Sequence, residues 1–343
     1  MQRRTFLSAT GAASMAQSQI APVKMGIDLF SIRSSGWTPF QYLDYCAKWK
    51  AKVVHFSEIR FLGNLEPEHL KKVRAHAAEL GIEIEIGMRS ICPTSKAFDA
   101  KQGTAEEQLG RMIESAKLIG SNIVRAFLGT MADRGSGRGA DLAIEAHIEN
   151  TAKVLRNMRS RVMDAGLKVA IENHAGDMQG RELKMLIEGA GKDFVGACLD
   201  SGNPLWTLED PHVTLDALHP YVITSHVRDS IVWRTPKGVS MRWMRMGEGN
   251  VDIDSYVRKY RELCPGKAIT LEIIVIPPRE FNFLEPKFWD GYRNVPAWQF
   301  ARFLAIAEKG QPSAAPPKPA DPAAQEREDL EASIRYTQKL LGV

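Results

Sequence analysis

The chain has 343 residues, 44% hydrophobic, 25% charged and 8% aromatic, a globular composition that excludes a disordered or collagen-like chain. Its net charge of +4 comes from 45 basic and 41 acidic residues, too even a balance for a nucleic-acid footprint, which gathers basic residues on one face. The four cysteines, Cys46, Cys92, Cys198 and Cys264, are far apart and form no CxxC, which excludes a zinc ribbon or disulfide scaffold, and no apolar run is long enough for stable membrane insertion.

The first sixteen residues, MQRRTFLSATGAASMA, place Arg3-Arg4 before Phe6-Leu7, a weakly apolar stretch and the small residues Ser14-Met15-Ala16. That order is expected of a twin-arginine export signal over residues 1–16, with a mature chain from Gln17 and a periplasmic or exported location. Loss of Arg3 and Arg4 would leave a charge of +2.

Eight short β-branched or apolar runs follow: Lys24–Phe30, Lys52–Ser57, Ile82–Gly87, Asn122–Leu128, Lys168–Glu172, Phe194–Leu199, Val222–Val227 and Ala268–Val275. Between them lie stretches with helical spacing, such as Leu70, Val73, Ala77, Leu80 and Leu109, Ile113, Ala116, Ile119. Gly81, Gly120 and Gly166 sit where helices should stop before the next strand. Alternating strands and helices predict a parallel sheet, and eight units over about 250 residues predict a closed (β/α)₈ barrel, an α/β fold of one domain. An open doubly wound sheet would be expected to carry a GxGxxG turn after an early strand, and none is there. Gly135–Gly139 (GSGRG) lacks the lysine and hydroxyl residue of a P-loop. The barrel is expected to occupy residues 17–310. A Pro/Ala-rich linker is expected over 311–325 and a C-terminal helical extension over 326–343, docked on the barrel through Leu330, Ile334, Thr337 and Leu341.

In such a barrel, polar residues at the C-terminal ends of strands face the site. The last four strands end in AIENH, CLDSGN, TSHVRD and TLEII, which offer Glu172, Asp200, His226 and Glu272. Three buried carboxylates repel one another and are costly to desolvate unless something neutralises them. One divalent cation does so, and an O₃N donor set favours Mn²⁺ or Mg²⁺, with Co²⁺ and Zn²⁺ also compatible. The competing reading is a salt-bridge cluster with Arg89 (GMRS) and Arg125 (VRAF), arginines that could equally bind substrate oxygens. Glu58, after the second strand, could contact a substrate hydroxyl. Trp233, Arg234, Arg242, Trp243 and Arg245 lie on a long segment after the seventh strand that reads as a lid or as ordinary loop packing.

The order Glu–Asp–His–Glu, in IENH, LDSGN, SHVRD and LEI, resembles the xylose-isomerase-like TIM-barrel superfamily over roughly residues 24–308, and Gly247–Asp252 (GEGNVD) resembles a loop of its sugar isomerases and epimerases. The resemblance implies Glu172, Asp200, His226 and Glu272 as metal ligands. It also implies Glu172 and Glu272 as the catalytic pair that moves a substrate proton. His174 and Asp229 match site-lining positions, while Arg228 and Arg234 compete for that of a substrate-binding arginine. Asn203 stands where many epimerases and the apurinic endonucleases of the superfamily carry a histidine, and no further histidine follows His226 in VRDSIVWR. A DNA-repair role is thereby disfavoured, and the charge balance agrees.

The expected activity is a divalent-metal-dependent sugar isomerase or epimerase, working by proton abstraction beside a carbonyl through a metal-stabilised enediolate. The alternatives are a lyase or dehydratase acting on a keto-sugar, inosose-like compound or oxidised glycoside, and a carbohydrate-binding barrel without turnover. The expected partner is a small sugar or keto-sugar, and the pattern is compatible with a homo-oligomer.

Overall fold

The computed structural model describes residues 23–134 and 143–343. The expected export signal and the Gly135–Gly139 loop lie outside the described residues. All eight expected strands form one sheet: β1 (Met25–Asp28), β2 (Val53–Phe56), β3 (Glu83–Ser90), β4 (Ile123–Phe127), β5 (Lys168–Glu172), β6 (Val195–Asp200), β7 (Val222–His226) and, after an insertion, β10 (Ile269–Leu271). They pair in parallel in the order β10-β1-β2-β3-β4-β5-β6-β7. A bridge between Val227 and Leu271 closes the ring, with Val227 N donating to Thr270 O at 2.7 Å and Glu272 N to Val227 O at 3.2 Å. The result is a (β/α)₈ barrel.

The strands are buried on both faces, as a parallel sheet under helices must be. The helices α1 (Pro39–Lys48), α2 (Pro67–Glu79), α3 (Ala105–Ile119), α4 (Ile144–Asp164), α5 (Gly180–Ala190), α6 (Pro211–Leu218) and α7 (Ile253–Leu263) cover the outside. Their starts are encoded locally. Thr38 and Thr104 cap α1 and α3 in reciprocal boxes with Gln41 and Glu107. Gly120 ends α3 in the left-handed conformation (φ 80°, ψ 23°), as expected.

The segment read as a lid is ordered as an antiparallel sheet. Strands β8 (Asp229–Thr235) and β9 (Gly238–Met244) form a hairpin, and β11 (Arg279–Phe281) pairs with β9. This sheet packs with Leu205, Trp206 and Leu208, and with α8 (Ala297–Ala307), around a second apolar core.

The final helix, α9 (Pro322–Leu341), starts four residues before the expected boundary, with Asp321 capping it through Ala324 N. It occupies the eighth helix position of the ring. Tyr45 of α1 donates to Glu331, Gln338 donates to Trp49 O, and Tyr336 donates to Asp254 of α7 at 2.6 Å. Leu330, Ile334 and Leu341 join the main core, so this helix completes the barrel. No helix among the described residues is long and apolar enough to cross a membrane.

Candidate metal centre

Strand register sets the site. Phe127 pairs with Glu172, Glu172 with Cys198, and Asp200 with His226. Side chains two residues apart share a face of a strand, so Asp200 rises beside Glu172 on the inner face and His226 stands beside Asp200. Glu272, one residue beyond β10, comes round to close the set. One ligating atom from each of Glu172, Asp200, His226 and Glu272 lies within 4.8 Å of the others. Three of the four are fully buried and Glu272 is 6% exposed.

Each carboxylate is held from behind. Asp200 Oδ1 accepts from Gly202 N and Asn203 N, both at 2.7 Å, which leaves Oδ2 facing inward. Asn173 clamps the Asp200 backbone, accepting from its N and donating to its O, both at 2.9 Å. Glu172 Oε1 accepts from Asn203 Nδ2 at 3.1 Å and Oε2 from Arg125 Nε at 2.6 Å. Arg125 reaches this point because Gly87 lacks a Cβ, which would lie 2.9 Å from Ser57 O and 3.3 Å from Arg125 Cδ.

The decisive atom is His226 Nδ1. It is buried without a hydrogen-bond partner among the described residues, 3.2 Å from Glu172 Oε2 and 3.2 Å from Glu272 Oε2. A buried orphan nitrogen between two carboxylate oxygens suits a cation, and the hard oxygen set suits Mn²⁺ or Mg²⁺. The residues therefore fit the implied divalent ion.

Arginines supply part of the counter-charge, as the competing reading required, but the pair is Arg125 and Arg228. Arg228 Nη2 contacts both Asp200 Oδ2 and Glu272 Oε2. Its guanidinium lies 4.4 Å from the Trp243 ring centre, and its Nε and Nη1 are buried without hydrogen-bond partners among the described residues. Gly202 makes room for it, since a Cβ there would lie 2.5 Å from Arg228 Cγ.

Charges in this cluster shift one another. Burial pushes Glu172 up, but Arg125 and His226 outweigh it and hold the carboxyl well below its ordinary value. At Asp200 burial wins over Arg228 and raises the pKa. Burial lowers His226, but the acidic groups Cys198, Glu172 and Asp28 raise it well above the ordinary histidine value. The field around this imidazole is thus strongly negative, and it favours a cation.

The other expected site residues divide. Asn203 and Arg125 join the cluster through Glu172. His174 lines its edge, stacked on Phe127 with ring centres 3.9 Å apart and hydrogen-bonded to Gly129 O at 2.8 Å. Burial and then Arg125 lower its pKa to about 4, so it is neutral. Asp229 is spent on the GEGN turn, where its carboxylate accepts from Ser230, Gly247 and Gly249 backbone N–H groups. Arg234 is exposed on the hairpin, 5.3 Å from the Phe283 ring centre, and Arg228 takes the inward place instead. Arg89 is exposed on β3. Glu58 is engaged by Arg60 at 2.5 Å. The physical reason is common to these four, because local backbone, neighbouring side chains or solvent claim each one before the barrel axis can.

Sequence reasoning missed Asp28, His55, Glu85 and Asn173. The available signal was a polar residue inside an apolar run, as in GIDLF, VVHF and IEIEI. His55 lies inside the VVHF strand. It is fully buried, with Nδ1 2.8 Å from His226 Nε2. All four cysteines are buried free thiols.

Fold and cluster together define a barrel protein with a carboxylate–histidine centre at the C-terminal rim. Residues 43–286 match the Xylose isomerase-like TIM barrel family, and the chain belongs to it. It is 21% identical over 236 residues to the 3-oxo-isoapionate decarboxylase of Pectobacterium atrosepticum, covering 68% of this chain and 72% of that one. Among solved structures it resembles a D-psicose 3-epimerase crystallised in the presence of D-fructose (TM-score 0.62, 13% identity, 94% of this chain and 100% of that one). It also resembles the IOLI protein with a bound zinc atom (TM-score 0.61, 13% identity, 93% and 98%).

Proposed function

We propose that the chain is a divalent-metal-dependent enzyme that moves a proton at a carbon beside the carbonyl of a sugar or keto-sugar, as an isomerase or epimerase. The observation that carries this is the convergence of Glu172, Asp200, Glu272 and the unpartnered His226 Nδ1 on one buried point. These four residues would hold the ion, with Mn²⁺ or Mg²⁺ favoured by the oxygen-rich set. When bound, the cation supplies Lewis-acid stabilisation for negative charge developing on the substrate oxygens. Glu172, held as a carboxylate by Arg125, takes the carbon-bound proton, and Glu272 returns one. Asn203 keeps Glu172 oriented. Arg228, with two unpartnered N–H groups over Trp243, binds substrate oxygen.

A lyase is the second reading, favoured by the similarity to a protein named as a decarboxylase. The two differ in the product. Incubation of the metal-loaded protein with a panel of sugars, keto-sugars and oxidised glycosides in deuterated water is expected to give a product of unchanged skeleton with deuterium beside the carbonyl. A product lighter by water or carbon dioxide would establish the lyase. Absence of both cation binding and C–H exchange would overturn the enzymatic reading and leave a carbohydrate-binding barrel. Export through the twin-arginine route belongs to the same proposal, and intact-mass analysis of the protein from the periplasm is expected to show a chain starting near Gln17.

A further inference from the structure

A histidine can bind a cation through one ring nitrogen only if the other carries the proton, so something must fix which is which. His226 turns Nδ1 toward Glu172 and Glu272. Its Nε2 faces the opposite way, 2.8 Å from His55 Nδ1 and 3.2 Å from Asp28 Oδ2. We infer that Asp28 and His55 form a buried positioning pair that keeps the His226 proton on Nε2 and presents its Nδ1 lone pair to the cation.

The pair is built for this. Asp28 ends β1 and His55 lies in β2, and the two are partners in register. Asp28 Oδ1 is occupied by Phe30 N at 2.7 Å and Ser57 Oγ at 2.9 Å. Those donors orient the carboxylate, and Oδ2, which has no hydrogen-bond partner among the described residues, faces His226 Nε2 at 3.2 Å and His55 Nδ1 at 3.6 Å. All three side chains are fully buried, so water cannot compete. His55 must be neutral to accept at Nδ1. Glu85 stands behind, with Oε2 3.9 Å from His55 Nδ1 and taking the Thr224 hydroxyl at 2.7 Å.

The same atoms could be read as a second cation site, since ligand atoms of Asp28, His55 and His226 lie within 4.8 Å of one another. Two ions on one imidazole would require loss of its last ring proton, so the shared hydrogen bond is the cheaper arrangement. The inference rests on the reading that His226 holds a cation.

The test is calorimetric titration of the full chain with Mn²⁺, wild type against Asp28→Asn. In that variant the amide oxygen would remain with Phe30 N and Ser57 Oγ, and the amide NH₂ would face the His226 N–H. Loss of such an outer partner typically lowers metal affinity about 10–100-fold, and that loss is expected at a stoichiometry of one. Wild-type binding with unchanged affinity in Asp28→Asn would overturn this inference alone. A wild-type stoichiometry of two would overturn it in favour of a second site. No cation binding by the wild type would overturn the proposed function with it. If Asp28→Asn does not fold, nitrogen NMR of ¹⁵N-histidine-labelled, Mg²⁺-loaded wild type decides. The His226 proton is expected on Nε2, and a proton on Nδ1 overturns the inference.

Discussion

Two groups of buried acids sit in the upper half of this barrel. Glu172, Asp200 and Glu272 form one. Asp177, Glu182, Glu209 and Asp229 form the other. All are hidden from solvent, yet the second group is answered locally. Asp177 accepts from Gly129 N and Met178 N, Glu182 pairs with Arg134, Glu209 accepts from Gly180 N and the Thr214 hydroxyl, and Asp229 takes three backbone N–H groups. The first group is also held by backbone, Asn203, Arg125 and Arg228, but it aims oxygens at one shared point beside His226 Nδ1, which has no hydrogen-bond partner among the described residues. Burial and charge therefore do not mark a functional acid here. Convergence of oxygens does.

The largest effect should come from breaking that convergence. Glu172→Gln or Glu272→Gln is expected to lower turnover by about 10²–10⁴-fold, the usual contribution of a general acid or base, while leaving the fold intact by circular dichroism. Chelation should abolish activity and Mn²⁺ or Mg²⁺ should restore it. Full activity in either variant with metal retained would remove these glutamates from the mechanism.

The contrast also explains what could be read in advance. The strands were legible because parallel strands under helices appear as continuous apolar runs. The four cluster residues were legible because each breaks its run at the end that faces the site. Asp229 was misplaced because its neighbour in sequence, His226, points inward, while the turn at Gly247–Gly249, 18 or more residues later, claims its oxygens. Arg228 and Arg234 could not be separated until the β8–β9 hairpin had been seen to start at Asp229. Asp28 and His55 meet His226 only through barrel closure, across a sequence separation that no local pattern carries.

Next in size is the structural group's own ion pair. Arg134 is buried, with two nitrogens on Glu182 and one also on Asp177 O. Arg134→Met removes the partner that holds both Glu182 oxygens and leaves it only Arg181 Nη2 at 3.2 Å and Gln179 N at 2.8 Å, so it is expected to cost about 3 kcal/mol of stability, the low end for a broken buried pair, read by urea denaturation. Metal affinity should not change. A parallel loss of affinity would show that the two groups are coupled and would weaken the comparison.

Glu209 sharpens it through pH. Its Oε1 is buried without a hydrogen-bond partner among the described residues, and burial raises its pKa from 4.5 to about 7. The folded state therefore holds this proton where the unfolded chain has lost it. Its contribution to stability is full below about pH 4.5 and disappears as pH rises through about 7. At about 1.4 kcal/mol per unit this is on the order of 3 kcal/mol. Denaturation at stepped pH should show that decline in the wild type and a flatter profile in Glu209→Gln. An unchanged profile would mean that Glu209 is ionised in the fold and paired in some other way.

The smallest expected effect is the most direct check on Asp229. It lies three residues after His226, yet its oxygens hold the turn of Gly247 and Gly249, at 3.1 and 2.9 Å, and Ser230 N at 2.7 Å. Asp229→Ala strips the acceptor from three backbone donors, and because the bonds to Gly247 N and Gly249 N are only partly buried, water can replace the lost acceptor there and the cost is about 1–3 kcal/mol. The turn packs against Tyr336 of α9, whose ring lies 2.1 Å from where a Gly247 Cβ would stand. Amide exchange should therefore quicken in the Gly247–Asp252 loop and in the adjoining turns of α9, while Mn²⁺ affinity stays at the wild-type value. A variant of normal stability with weakened cation or substrate binding would move Asp229 into the first group of acids, and the line drawn between the two groups would have to be redrawn through β8.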